Sequence, residues 1–190
     1  MIKRLLLLMS LLLMFALVFV PVSASASLHS LLAPKQLCPG QLDGDAAPAA
    51  QDQVMLCLIN YARKTRGLQA LHTQPQLGRS SEAKAKAIYR CHQFSHSACG
   101  RDFTSWFRAA GYMSCGCSWE VGENIAWLGD DSGYQALTPR ATMNAWIHSP
   151  EHRANILKPG WHDANVAVIK RPFSGYDDAV IWVSQFGRRG

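Results

Sequence analysis

Six cysteines behind an export-type N-terminus constrain the fold of this chain more than any other feature. The chain begins MIKR, and an apolar run from Leu5 to Val20 leads to the sequence ASA at positions 24–26. A charged start, an apolar centre and a small-x-small exit are typical of a secretory signal peptide. We therefore predict that residues 1–26 are a signal peptide cleaved after Ala26. A retained membrane anchor is the alternative, because the apolar run approaches the length of a bilayer span.

The cysteines all follow the predicted cleavage site, so we expect a secreted, extracellular domain held by disulfides rather than free thiols. We expect Cys38 to pair with Cys57. We expect Cys115 and Cys117 to pair with Cys91 and Cys99 rather than with each other, because alternate residues of a strand lie about 7 Å apart, beyond disulfide reach. A four-cysteine zinc site is the alternative for this group, but the C-x2-C spacing is missing. The six positions are Cys38, Cys57, Cys91, Cys99, Cys115 and Cys117.

Size and charge exclude several classes of protein. Cleavage would leave 164 of the 190 residues, enough for one domain with its own core, and would lower the net charge from +6 to about +4. Lysines and arginines are scattered, without the aromatic-interleaved basic stripe of nucleic-acid binders. No later stretch is apolar enough to span a bilayer. We expect a monomer with no nucleic-acid partner and no membrane span after cleavage.

Residue patterns divide the mature chain into a tail and a domain. Residues 27–52 are rich in Ala, Pro, Gly and Gln and show no period, so we interpret them as a linker or N-terminal tail before a domain at 53–190. Helical spacing predicts one helix through Val54 and Tyr61 and a second over 74–92, with Lys84 on its water-facing side. Asp102 should cap a short third helix, and Thr138 with Pro139 should begin a fourth.

The C-terminal part changes to a strand pattern. Residues 164–170 and 179–186 are rich in β-branched and apolar residues and are joined by RPFSGYDD, which predicts an antiparallel hairpin. Helices followed by nearly continuous apolar strands favour a central sheet covered on both faces. The fold class we predict is α+β, a three-layer α-β-α sandwich with a mainly antiparallel sheet.

The stretch HSPEHRANIL at 148–157 resembles the start of a zinc-protease helix, but its proline argues otherwise. Pro150 cannot lie inside a continuous helix, so one helix should end near His148 and another should begin with Ser149 as N-cap. The two histidines then lie on different helices, and no metal-binding pair four residues apart is formed. An imidazole in the first turn of a helix is favoured in its neutral form, so His152 remains the candidate.

A set of short motifs, in order along the chain, resembles the bacterial branch of the CAP superfamily. This superfamily contains cysteine-rich secretory proteins, antigen 5 and pathogenesis-related proteins. The resemblance extends from about Val54 to Gly187. The motifs are LINYAR at 58–63, RGL at 66–68, FSH at 94–96, GY at 111–112, GENIA at 122–126, AW at 145–146, SPEHRANIL at 149–157 and SQFG at 184–187.

The resemblance implies an α-β-α sandwich with a groove lined by His96, Glu123 and His152. The family's second glutamate would fall at Ser149, so the usual set of two histidines and two glutamates is incomplete. Two histidines and one carboxylate are ligands that a zinc-like divalent ion accepts. Structural bracing is the alternative, with His96 closing its turn, Glu123 bracing its loop and His152 bonding to Glu123. Trp119 and Trp127, expected in the loop around Glu123, are further groove candidates.

Two functions follow from these residues. The first is a non-catalytic extracellular binding module for a small hydrophobic ligand, for which the resemblance suggests sterol, fatty acid or glycolipid, or for a component of the cell envelope. The second is a metal-dependent hydrolase or protease using His96, Glu123 and His152. We favour the first, because no nucleophile, oxyanion hole or complete acid–base pair is visible and no cofactor beyond a divalent metal such as zinc is implied.

Overall fold

Two groups of helices pack on opposite faces of a three-stranded antiparallel sheet in the computed structural model, which describes residues 28–130 and 134–190. The helices are α1 (Pro48–Lys64), α2 (Pro75–Cys91), α3 (Ser105–Ala109), α4 (Pro139–His148) and α5 (Pro150–Ile156). The strands are β1 (Trp119–Gly129), β2 (Asp163–Lys170) and β3 (Ala179–Arg189), and short 3-10 helices cover Leu28–Leu31, Ala98–Gly100 and Tyr134–Leu137. The predicted α+β sandwich is confirmed.

Strand β3 lies at the centre of the sheet and supplies both layers of the core. The sheet order is β1-β3-β2, and both pairings are antiparallel. Alternate residues of β3 point to opposite faces. Trp182 and Phe186 therefore pack with α1 and α4, whereas Ile181 and Val183 pack with Ile88 of α2.

Most predicted helix boundaries agree with the structure. Pro150 begins α5 directly after α4, which confirms the break inside HSPEHRANIL. Thr138 caps α4 by accepting a hydrogen bond from the amide of Ala141. The cap predicted at Asp102 is wrong, because α3 begins only at Ser105 and Thr104 occupies its N-cap position. Asp102 instead accepts a hydrogen bond from the amide of Thr104 in the preceding turn.

The segment before Val54 belongs to the packed structure. Helix α1 begins at Pro48, where proline fits the first helical position. Upstream, Leu31 and Ala33 are buried in the core beside α1. The signal peptide predicted for residues 1–26 lies outside the described residues.

Strand β1 corrects the prediction that Trp119 and Trp127 lie in a loop. The sequence WEVGENIAWLG combines glycine, glutamate and asparagine, which are depleted in strands. All eleven residues nevertheless pair with β3, because the neighbouring strand offers a complete ladder of hydrogen bonds. Tertiary pairing has overridden local propensity.

The disulfides correct another prediction. Cys38 pairs with Cys57 as expected, but Cys91 pairs with Cys99 and Cys115 with Cys117. The expected exclusion of a bridge between Cys115 and Cys117 assumed an extended strand. Residues 115–117 instead form a bend before β1, which brings the two Cα atoms to 5.1 Å.

Candidate functional site

Glu123 is the buried centre of the candidate site. It lies on β1 directly opposite Gln185 of β3, and its side chain is fully shielded from solvent. Gln185 donates from Nε2 to Oε2 of Glu123 at 2.8 Å. His96 donates from Nδ1 to Oε1 at 2.9 Å, since a carboxylate can only accept. Both carboxylate oxygens are therefore engaged.

Lys84 supplies a buried positive charge to this carboxylate, which corrects its expected place on the water-facing side of α2. Its side chain is fully shielded, and Nζ lies 3.6 Å from Oε1 of Glu123. Nζ also donates to the carbonyl of Ser95 at 2.8 Å and to the carbonyl of His96. Burial lowers the pKa of Lys84, and the neighbouring Glu123 opposes that shift. A charge this deep in the fold is tolerated because it is paired and hydrogen-bonded.

A signal for Lys84 is present in the sequence. One face of a helix carries residues at intervals of three and four positions. In α2 this spacing joins Leu77, Ser81, Lys84 and Ile88. All four are buried against the sheet. The position of Lys84 in this stripe indicates burial, whereas its charge alone suggested exposure.

Both the backbone and the ring of His96 make contacts that fix its position. It lies in the loop closed by the Cys91–Cys99 disulfide, and Lys84 binds its carbonyl. Its ring meets the edge of Phe103 at 6.4 Å between centroids. The side chain is 51% exposed. Because Nδ1 is committed to Glu123, Nε2 is the ring nitrogen that can bond to a further partner.

His152 reaches the same region from the first turn of α5. Its Nδ1 is hydrogen-bonded to Oγ of Ser149 at 2.8 Å, and its ring lies 6.5 Å from that of Trp146. The pKa of His152 is lowered, first by burial and then by the nearby His96, while Glu151 acts in the opposite direction. His152 is therefore favoured in its neutral form, and its ring bonds to Ser149 rather than to Glu123.

Ser149 has a different role from the expected one. It occupies the N-cap position of α5 with an extended backbone, but its hydroxyl makes no capping hydrogen bond to the helix. The hydroxyl bonds to His152 instead and orients that ring. His148 lies on α4 and bonds to the carbonyl of Asn144, so the two histidines lie on different helices, as expected from the helix break.

Two asparagines that sequence reasoning did not assign to the site hold α5 against β1. Asn124 donates to the carbonyl of His152 at 3.1 Å, and Asn155 donates to Oδ1 of Asn124 at 2.9 Å. Gly122 permits this contact, because a Cβ atom there would lie 2.7 Å from Asn155 and 2.8 Å from Trp161. Gly122 of GENIA and Asn155 of HRANIL therefore meet in one contact, which the sequence does not indicate because the two motifs are far apart along the chain.

The two tryptophans lie on β1, four residues before and after Glu123, a distance of about 13 Å along a strand. Trp119 is 42% exposed. Trp127 packs against the rings of Phe173 and Tyr176. They therefore flank the carboxylate at a distance.

The donor set does not fit a metal ion. Within residues 28–130 and 134–190, no three His, Cys, Asp or Glu side chains are grouped so that they could hold one. Glu123 is already bound by His96, Gln185 and Lys84, and the ammonium group of Lys84 provides the positive charge beside it.

A groove of about 900 Å³ lies elsewhere, along β2 at the other edge of the sheet. Asp52 and Tyr89 are among its lining residues. Burial raises the pKa of Asp52 to about 7, against the effect of a hydrogen bond from the backbone of Val168. Because β1 and β2 are opposite edges, this groove is separate from Glu123.

Comparisons with known proteins agree with this architecture. An extracellular SCP-domain protein of Bacillus anthracis has a TM-score of 0.60 at 20% identity, over 83% of this chain and 44% of that one. An outer surface protein of Borrelia burgdorferi has a TM-score of 0.55 at 17% identity, over 73% of this chain and 92% of that one. These likenesses show that the chain shares its fold with a solved SCP-domain structure.

The family follows from the sequence match. Residues 56–186 match the model of the cysteine-rich secretory protein family, CAP, and the chain belongs to this family. The uncharacterized protein YkwD of Bacillus subtilis is 29% identical over 139 residues, which are 73% of this chain and 47% of that protein. This chain thus spans about half the length of YkwD and of the Bacillus anthracis protein. Within the described ranges, no helix has the length and apolar character needed to cross a bilayer.

Proposed function

We propose that this chain is an exported, non-catalytic binding domain whose ligand contacts His96 and His152 at the β1 edge of the sheet. The observation that carries the proposal is the state of Glu123. Its two oxygens accept from His96 and Gln185, and its charge is balanced by Lys84. All three partners of this carboxylate are side chains of the protein itself, which fits a bracing role better than a catalytic one. The network is suited to holding His96 in place.

Export is supported by three observations. The N-terminal sequence has the parts of a signal peptide. Three disulfides join all six cysteines. The similar structures from Bacillus anthracis and Borrelia burgdorferi are described as an extracellular protein and an outer surface protein. We propose an extracellular location on these grounds.

The ligand class follows from the exposed atoms. With Nδ1 bound to Glu123, Nε2 is the ring nitrogen of His96 that can pair with a ligand, and a ligand hydroxyl would be a suitable partner. Phe103 lies beside this ring, and Phe94 is 42% exposed in the same loop, so the surroundings are partly apolar. A small hydrophobic molecule with a hydroxyl group, such as a sterol or a glycolipid, has both features.

The test is ligand analysis of the exported protein. Lipid extraction followed by mass spectrometry should recover a bound molecule, and adding that molecule to stripped protein should raise its Tm. His96→Ala and His152→Ala should abolish the shift, Trp119→Ala should weaken it, and His148→Ala should leave it unchanged. No bound molecule and no ligand-induced shift, or equal shifts in all four variants, would contradict the proposal.

Calorimetric titration with zinc distinguishes the proposed binding domain from a metal-dependent hydrolase. We expect no stoichiometric zinc site that depends on His96 and His152. A one-to-one zinc site that is lost in both alanine variants would favour the hydrolase.

A further inference from the structure

The Cys115–Cys117 disulfide differs from the other two in its surroundings. Cys115 is exposed and Cys117 is partly exposed, on either side of exposed Gly116. Cys38, in contrast, is buried in the core, and Cys91 and Cys99 are only partly exposed. A thiol in solution therefore has its most direct access to Cys115.

This disulfide also constrains the chain least. Its cysteines are two positions apart, whereas the other pairs are separated by 19 and 8 positions. The entropy that a crosslink removes from the unfolded chain grows with the length of the closed loop. A bridge over a single glycine adds little to folding stability, so a structural role does not account for it.

The start of β1 next to this bridge has backbone hydrogen bonds of its own. Ser118 and Gly190 exchange two backbone hydrogen bonds, each 3.1 Å long, which fix the start of β1 to the end of β3. The bend at 115–117 lies outside this clamp. Opening the disulfide would let the bend extend towards the wider spacing of a strand, without disturbing the sheet.

We propose that Cys115 and Cys117 form a thiol–disulfide exchange site that reacts with low-molecular-weight thiols. The thiolate of one such molecule attacks Sγ of Cys115, a mixed disulfide forms, and the Cys117 thiolate leaves. A second thiol attacks the mixed disulfide and releases the oxidised small molecule. Two electrons and two protons are thereby transferred to the pair, which becomes a dithiol. The reverse sequence oxidises two thiols. This site uses none of His96, Glu123 and His152.

The test is reduction of the folded protein in glutathione buffers of increasing reducing strength. After acid quenching, alkylation and peptide mass spectrometry report each pair separately. We expect Cys115 and Cys117 to become alkylated at a ratio of reduced to oxidised glutathione at least tenfold lower than the other pairs, with an unchanged circular dichroism spectrum. The reduced protein should reoxidise with oxidised glutathione.

The double variant Cys115→Ser/Cys117→Ser gives the matched control. Its Tm should stay within about 2 °C of the wild type, and the alkylation of the remaining pairs should be unchanged. Reduction of all three pairs over the same range, or a large loss of Tm in the double variant, would overturn the proposal.

Discussion

At the scale of the residue, Lys84 shows how the tertiary structure can bury a side chain whose charge favours water. On an isolated helix, lysine favours water. In this fold Lys84 lies under the loop that carries His96, and its ammonium group bridges two carbonyls and Glu123. The pair persists because both partners are shielded together and the remaining donors have acceptors.

Lys84→Met should destabilise the protein by about 3–5 kcal/mol, the usual effect of leaving a buried charge without its partner. Urea denaturation monitored by circular dichroism measures this change. Lys86→Met is the matched control, because Lys86 is 62% exposed and pairs with Glu82 at the surface. Its effect should be below about 0.5 kcal/mol. Equal effects of the two substitutions would contradict the role of Lys84.

His152 should make stability sensitive to mild acid. Its pKa in the folded state lies below the ordinary value of 6.5, so the unfolded state binds more protons once the pH falls below about 6.5. The stabilising contribution of neutral His152 is present above that pH and is lost as the pH falls. The free energy of unfolding should therefore decrease between pH 7.5 and 5.5, less steeply in His152→Gln than in the wild type.

At the scale of the element, the contact between β1 and α5 determines where His152 points. Asn124 reaches the carbonyl of His152, and Asn155 reaches back to Asn124. Helix α5 has only seven residues, too few to be stable alone, so these contacts fix its position.

Gly122→Ala should disturb this contact. The added Cβ would lie 2.7 Å from Asn155 and 2.8 Å from Trp161, closer than van der Waals contact permits. We expect a loss of about 1–3 kcal/mol, as for other overpacked positions, together with faster amide exchange in α5. Gly116→Ala is the control, because no atom lies within 4 Å of its added Cβ. Normal exchange in α5 of the Gly122 variant would show that the contact does not position the helix.

At the scale of the whole molecule, the Cys38–Cys57 disulfide attaches the segment before α1 to the domain. Leu31 and Cys38 are almost completely buried, so this segment completes the core on the α1 face. Replacing both cysteines by serine should cost about 2–4 kcal/mol, because the closed loop is of moderate length. Chemical denaturation measures the loss, and proteolysis should then cut first before Pro48. Unchanged stability would mean that packing alone holds the segment.

Local sequence signals anticipated much of the architecture. Thr138 with Pro139, and Ser149 with Pro150, mark the beginnings of two helices because proline has a fixed backbone and no amide donor. The β-branched runs at 164–170 and 179–186 predicted the hairpin. The motifs FSH, GENIA and SPEHRANIL identified His96, Glu123 and His152 as candidates through the family resemblance.

The sequence by itself determined the helices, the hairpin and the family, because caps, periodicity and motifs act over a few neighbouring residues. Only the tertiary structure decided that GENIA pairs as a strand, that Lys84 is buried against Glu123, and that Cys115 bonds to Cys117. Each of these depends on interactions with residues distant in sequence. GENIA pairs with the backbone of β3, Lys84 is desolvated beside the opposite charge of Glu123, and the bend at 115–117 precedes the start of β1. The stripe of α2 indicates that Lys84 is buried, but the partner of Lys84 and the other two interactions exist only after the sheet has formed.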